Sequence, residues 1–246
     1  MTGPEVEVPT DSGPCSVCAQ HVEFIDTGGR SIRENYACPE CGATLRYRHQ
    51  AAVLVRLYGS GALRSIAELA RSDALRGLDV YEPGIVGPLR EALSLGAASY
   101  EQSYLWPDVP LGAEQNGIRC ENLEVLTFPD ESFDLVISSD IFEHVRRPME
   151  GFREVRRVLK PGGRHVFTIP IRWPPTEPTR QRVDTSGPTD VHLEEPHYHG
   201  SPVDPDGSLV YTDFGMDLVE ELDRSGYETT VYYGLKYNVT FSAARS

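Results

Sequence analysis

The stretch Phe128-Pro129-Asp130-Glu131-Ser132-Phe133-Asp134-Leu135-Val136-Ile137-Ser138-Ser139-Asp140-Ile141-Phe142-Glu143-His144-Val145, with Arg157-Val158-Leu159-Lys160-Pro161-Gly162-Gly163 downstream, leaves this chain few folds to choose from. Pro129-Asp130-Glu131 reads as an acidic turn, and Phe133 to Ser138 as a strand buried on both faces. Met149 to Leu159 has the apolar spacing of a helix, and Pro161-Gly162-Gly163 turns the chain into a second apolar run, His165 to Ile169. Strand, helix and strand in that order form one repeat of an open parallel sheet. Its polar residues follow the carboxyl end of the first strand, where such sheets bind ligands.

Several separate blocks agree in wording as well as in order, and they resemble the class I S-adenosylmethionine-dependent methyltransferases. The nearest branch carries FPDxSFDLV, xEHV and RVLKPGG, and the resemblance spans roughly residues 75 to 240. It implies an α/β fold: a doubly wound, Rossmann-like sheet, mostly parallel, with an antiparallel closing strand. Strands are expected at 77–81, 99–105, 118–120, 133–138 and 165–169, with helices at 88–95, 149–159 and 213–225. Residues 227–233 and 237–241 would close the sheet as an antiparallel pair.

The first part of the chain reads differently. Cys15-x-x-Cys18 and Cys38-x-x-Cys41, separated by 19 residues, have the spacing of a four-thiolate zinc ribbon. Each pair turns tightly enough to aim two sulfurs at one ion, and two pairs complete a tetrahedron. Such a Zn²⁺ site has no open position, so its role is structural. The expected organisation is a disordered tail over 1–14, the ribbon over 15–44, a helical connector over 45–74, and a methyltransferase domain over 75–246 with a lid insert at 172–211. Within the ribbon, 22–25 and 31–36 read as strands joined by a turn at 27–29. Arg46-Tyr47-Arg48-His49 reads as a solvated helix face, with contact to a substrate or an anion as the alternative, and Cys120 as a small buried apolar residue.

Composition narrows the function. A formal net charge of −14 argues against a nucleic-acid partner, which needs clustered Lys and Arg. No run approaches the ~18 apolar residues of a membrane span, and Met1 to Gly13 does not resemble a signal peptide, so a cytoplasmic protein with no membrane partner is expected.

For the cofactor, S-adenosylmethionine, the turn Glu82-Pro83-Gly84-Ile85-Val86-Gly87 follows the first strand. The resemblance implies that Glu82 and Gly84 start the family's acid-x-Gly motif; Val86 then stands where another glycine is usual. Tyr104 occupies the position of the ribose-binding acid, which leaves Glu101 as the nearest carboxylate. Asn122 and Leu123 fall where the family meets the adenine ring, and Ser138, Ser139 and Asp140 where the methionine moiety rests.

Methyl transfer from a sulfonium depends chiefly on positioning, and a hydroxyl acceptor must also lose a proton. Asp140-x-x-Glu143-His144 resembles the acid-x-x-Glu-His of divalent-metal-dependent O-methyltransferases of ubiquinone biosynthesis and of small-RNA ribose methylation. That resemblance implies a second divalent ion at Asp140, Glu143 and His144. The favoured reading is a metal-free site in which His144, His197 or His199 is the base, the last two from the lid segment that also holds His192. Glu143 then braces a helix start. The expected function is O-methylation of a polar small-molecule acceptor such as a sugar or secondary metabolite. Two other readings stand beside it: an RNA methyltransferase with a zinc-ribbon substrate module, and a non-catalytic cofactor-binding or partner-docking module.

Overall fold

A computed structural model describes residues 3–28, 31–200, 204–235 and 238–246. Eight strands form the central sheet: β1 (Asp79–Pro83), β2 (Ser99–Tyr104), β3 (Glu114–Gln115), β4 (Ile118–Cys120), β5 (Phe133–Ser139), β6 (Leu159–Thr168), β7 (Tyr227–Tyr233) and β8 (Val239–Arg245). Their order is β7-β8-β6-β5-β1-β2-β4-β3. The pairs from β6 through β5, β1 and β2 to β4 are parallel, and β3, β7 and β8 pair antiparallel. This is the doubly wound sheet with an antiparallel close that the sequence implies.

Helices cover both faces, which is why the central strands are apolar on both sides. Along β5, Leu135 and Ile137 face one apolar cluster and Val136 the other. The first cluster is covered by α1 (Leu45–Tyr58), α2 (Ile66–Arg71) and α3 (Arg90–Gly96). The second lies under α4 (Pro148–Val158) and α5 (Leu218–Arg224). Helix α4 starts with proline at its first position and ends with Arg156 and Arg157 in its last turn, both favourable placements. Its fully buried Phe152, Val155 and Val158 each contribute about 1.5–3 kcal/mol by leaving water. At α2, Ser65 and Glu68 form a reciprocal capping box.

Much of the opening motif works at the amino end of the sheet. Asp134 accepts from the Asp79 backbone N–H at 2.8 Å, and the Lys160 ammonium sits 2.6 Å from Asp79 and 2.7 Å from Asp134. Arg157 donates to the carbonyls of Leu126 and Phe128 and pairs with Asp130 and Glu154. These residues lock the acidic turn to α4 and hold β1, β5 and β6 in register, far from the ligand-binding edge.

The amino-terminal part departs from expectation. The described residues before Cys15, from Gly3 on, are packed rather than disordered: Ser12–Pro14 pairs antiparallel with His21–Glu23, and the buried Val6 donates its N–H to the Tyr233 carbonyl at 2.8 Å. Within the ribbon, Ile32–Glu34 is a 3₁₀ turn and only Ile25 bridges Ala37, so the expected 22–25 with 31–36 hairpin does not form; Gly29, in its turn, lies outside the described residues. Cys15, Val17, Phe24 and Cys38 share one apolar cluster with Leu54, Val80 and Leu135, so the ribbon is built onto the face of the sheet.

The run Arg46 to His49 is likewise buried rather than solvated. Arg48 stacks 3.6 Å above the Phe24 ring and donates to the carbonyls of Pro9 and Tyr36, and His49 Nδ1 lies 2.8 Å from Thr240 Oγ1. Helix α5 is shorter than the expected 213–225, because Thr212–Asp213 pairs with Arg180–Gln181. The lid over 172–211 is folded into short two-stranded pairings, 183–184 with 191–192 and 198–199 with 208–209. Tyr237, expected to open the last strand, lies outside the described residues. Cys120 is fully buried at the end of β4, as expected. Among the described residues, no helix is long and apolar enough to cross a membrane.

Candidate active site

Strand β1 lies between β2 and β5, so connections leave its carboxyl end toward opposite sides and open a crevice there. Gly84 has φ +104° and its built Cβ would lie 3.4 Å from Ile141, which sets the two lips of the crevice against each other. Gly87 has φ +153°, with Tyr47 of α1 3.6 Å from a Cβ there. Glu82 is buried and accepts from the Tyr100 hydroxyl; burial pushes its carboxyl up to about 7, against that hydrogen bond.

The other expected cofactor residues divide. Asn122 caps a turn through its Oδ1, 2.9 Å from the Glu124 N–H, and Leu123 is buried in the core beside it. Ser139 donates to Gln50 Oε1 at 2.6 Å, at the sheet edge. Ser138 points into the core, with its Oγ 2.9 Å from His165 Nε2, and is not offered to a ligand. Glu101 is exposed in mid-strand, opposite Tyr81, and does not reach the carboxyl edge.

Asp140 is the centre of an unexpected cluster. It has φ +53°, its N–H donates to the Thr168 carbonyl, and Thr168 Oγ1 donates to its Oδ1 at 2.9 Å. Arg33, from the 3₁₀ turn between the cysteine pairs, grips both carboxylate oxygens at 2.8 Å. Arg46 of α1 adds its Nε 3.2 Å from Oδ2 while binding Glu34 at 2.6 Å. Burial alone would raise the Asp140 carboxyl, but the two guanidiniums outweigh it and hold it down at about 2. An aspartate so engaged is not free to join Glu143 and His144 around an ion, which corrects the expected Asp140-Glu143-His144 grouping.

The group that does assemble is Glu143, His144 and His199, with ligand atoms all within 4.8 Å of one another. His144 and Glu143 lie on the 3₁₀ turn Phe142–His144 after β5, and His199 comes down from the lid. Glu143 Oε1 is 3.8 Å from His144 Nε2 and 3.8 Å from His199 Nδ1. Both Glu143 oxygens are buried without a hydrogen-bond partner among the described residues. Burial, and then the charge of Asp140, push this carboxyl well above the ordinary carboxylate range. The His144 Nδ1 lies 2.8 Å from the Leu209 carbonyl and so carries the proton, leaving the Nε2 lone pair facing Glu143. Burial lowers both His144 and His199. His197 packs edge-on against His199 at 4.8 Å between ring centres but stays exposed, and His192 is paired in the lid away from the group.

The four cysteines converge as their spacing implies. Cys15 and Cys41 sulfurs are 3.8 Å apart, Cys18 and Cys38 3.7 Å, and all four lie within 4.8 Å of one another. A tetrahedron with Zn–S near ~2.3 Å requires sulfur edges of about 3.8 Å, so the donor set fits that ion. A hydrogen bond with the Cys41 thiol pulls the Cys15 thiol down to about 5, against burial.

Two residues of the candidate site, Arg33 and Gln50, escaped the sequence reading, and Arg46 entered it only as part of a run that could alternatively touch a substrate or an anion. One signal was present. Helix α1 has no acid in its first turn and carries Arg46 and Arg48 there, against the helix dipole. Local violations of this sort tend to mark a site.

A family model described as a methyltransferase domain matches residues 106–167. A ubiquinone biosynthesis O-methyltransferase of Roseobacter denitrificans is 31% identical over 116 residues, 44% of this chain and 47% of that protein. A malonyl-[acyl-carrier protein] O-methyltransferase of Methylococcus capsulatus is 36% identical over 81 residues, 33% of this chain and 29% of that protein. The chain thus spans about half or less of the curated relatives it matches. Among solved structures, an S-adenosylmethionine-dependent methyltransferase of Mesorhizobium loti aligns at TM-score 0.47 and 20% identity, over 72% of this chain and 96% of that one.

Proposed function

We propose that this protein is an S-adenosylmethionine-dependent methyltransferase acting on the oxygen of a polar small molecule, with a divalent cation held by Glu143, His144 and His199 and a structural Zn²⁺ held by Cys15, Cys18, Cys38 and Cys41. The observation that carries the reading is the buried Glu143, whose two oxygens lack hydrogen-bond partners among the described residues and lie between two imidazoles at the carboxyl edge of the sheet. A carboxylate left so is costly, and a cation removes the cost. The match of residues 106–167 to a methyltransferase domain, and two relatives named as O-methyltransferases, support the reaction class.

The residues divide the work. Glu82, Gly84, Asn122 and Leu123 line the path of the adenosyl group, and Ser139 with Asp140 borders its amino-acid end. His144 presents Nε2 because Leu209 fixes its tautomer. His199 comes from the lid, so the folded lid completes the donor set and shields it from water. The cation, when bound, lowers the pKa of the acceptor hydroxyl. The chain's own contribution is to hold acceptor and sulfonium in line.

Calorimetry with S-adenosylmethionine tests the cofactor; no heat at millimolar concentration would end the methyltransferase reading. For the cation, Glu143→Gln and treatment with a chelator should each lower turnover by about 10²-fold or more, with divalent ion restoring the chelated protein. Turnover unchanged in both, with the ribbon still folded by circular dichroism, would leave His144 Nε2 as a metal-free base.

A further inference from the structure

The Arg33-Asp140-Arg46 cluster is more than a brace. Arg33 spends both terminal nitrogens on Asp140, yet its Nε is buried and without a partner among the described residues. Arg46 directs Nε to Glu34 and Asp140 and Nη2 to Glu34, while its Nη1 is buried and likewise without a partner. The Arg46 side chain is 8% exposed and that of Arg33 12%, whereas Glu34 is 46% exposed. Two guanidiniums therefore face one buried carboxylate, and solvent screens the second. The four formal charges balance, but each guanidinium keeps one buried N–H that no described residue takes up, and charged N–H donors of this kind suit a carboxylate.

Its place selects the ligand group. Asp140 follows β5 at the crevice, across from Gly84 and next to Ile141. Asn122 and Leu123 follow β4, and the strand order β5-β1-β2-β4 sets them three spacings away, about 14 Å. An extended cofactor with its adenine at β4 brings its amino-acid end to β5. We propose that Arg33 and Arg46 bind the carboxylate of the cofactor's methionine moiety, with Asp140 holding the two guanidiniums in place. This rests on the cofactor assignment above. It gives the cysteine module a direct part in binding: Arg33 lies between the two cysteine pairs, and Arg46 opens the helix that follows the second.

The test compares S-adenosylhomocysteine with decarboxylated S-adenosylhomocysteine, which keeps the ammonium and lacks only the carboxylate. By calorimetry the unaltered protein should prefer the first by about tenfold or more, and Arg33→Gln or Arg46→Gln should remove most of that preference while changing affinity for the second by no more than about twofold. Arg46→Lys should retain part of the preference, because it keeps the charge and loses the fork. Equal weakening of both ligands in the Gln variants, or an undiminished preference, overturns the proposal. Should the Gln variants fail to fold, the unaltered protein decides alone: no preference between the ligands overturns the inference, and no binding of either removes the cofactor reading with it.

Discussion

At the scale of single residues, burial fixes the behaviour of the ionisable groups. His165 is fully buried among Phe142, Phe152 and Phe167, and desolvation pushes it down to about 3. The unfolded chain takes up a proton near pH 6.5 that the folded chain refuses, so His165 favours the fold above that pH and ceases to do so as pH falls toward 3. Between pH 6.5 and 5 the loss is about 2 kcal/mol. Replacing His165 with Gln should flatten the pH dependence of the unfolding free energy over that interval; an unchanged slope in urea titrations would contradict the assignment. The same scale explains what the sequence hid at the site. Glu143 and His144 stand in a motif that announces them, but the partner of Asp140 is Arg33, 107 residues away, and no local pattern links the two.

At the scale of elements, the opening motif separates into two functions. Ser139 to His144 lies at the carboxyl edge of the sheet, where the cofactor is proposed to bind, whereas Asp134, Arg157 and Lys160 lie at the opposite end, where they tie β1, β5 and β6 together. The strands and helices of this part were legible because their apolar periods are those of a sheet covered on both faces. The amino-terminal hairpin was misread because His21–Glu23 finds a partner upstream, at Ser12–Pro14, which polar composition had marked as disordered. Helix α4 offers a check on packing: Phe152 stacks 4.0 Å from Phe142 and closes the core beneath the turn that carries Glu143. Phe152→Ala should cost about 3–5 kcal/mol in chemical denaturation and loosen that turn. A loss below about 1 kcal/mol would show that the core collapses around the gap.

At the scale of the whole molecule, the cysteine module and the sheet share one core. Cys15 and Cys38 pack in the same cluster as Leu54, Val80 and Ile137, and Gln50 joins α1 to the carbonyls of Ser138 and Val166. If the four thiolates hold Zn²⁺ as proposed, stripping it should therefore lower the thermal midpoint of the entire chain in a single transition. A separate early transition, leaving the sheet's midpoint where it was, would mean that the module folds independently.

The segment around Val6 has a consequence of another kind. Strand β7 is the outermost strand at its end of the sheet, and such edges present unpaired backbone groups to other molecules. Pro4, Glu5 and Val6 occupy the last of these groups, at Tyr233, from both the donor and the acceptor side. What composition marks as a disordered tail thus covers one end of that edge, and shortening the chain to Cys15 should uncover the Tyr233 backbone groups and raise the tendency to associate through it.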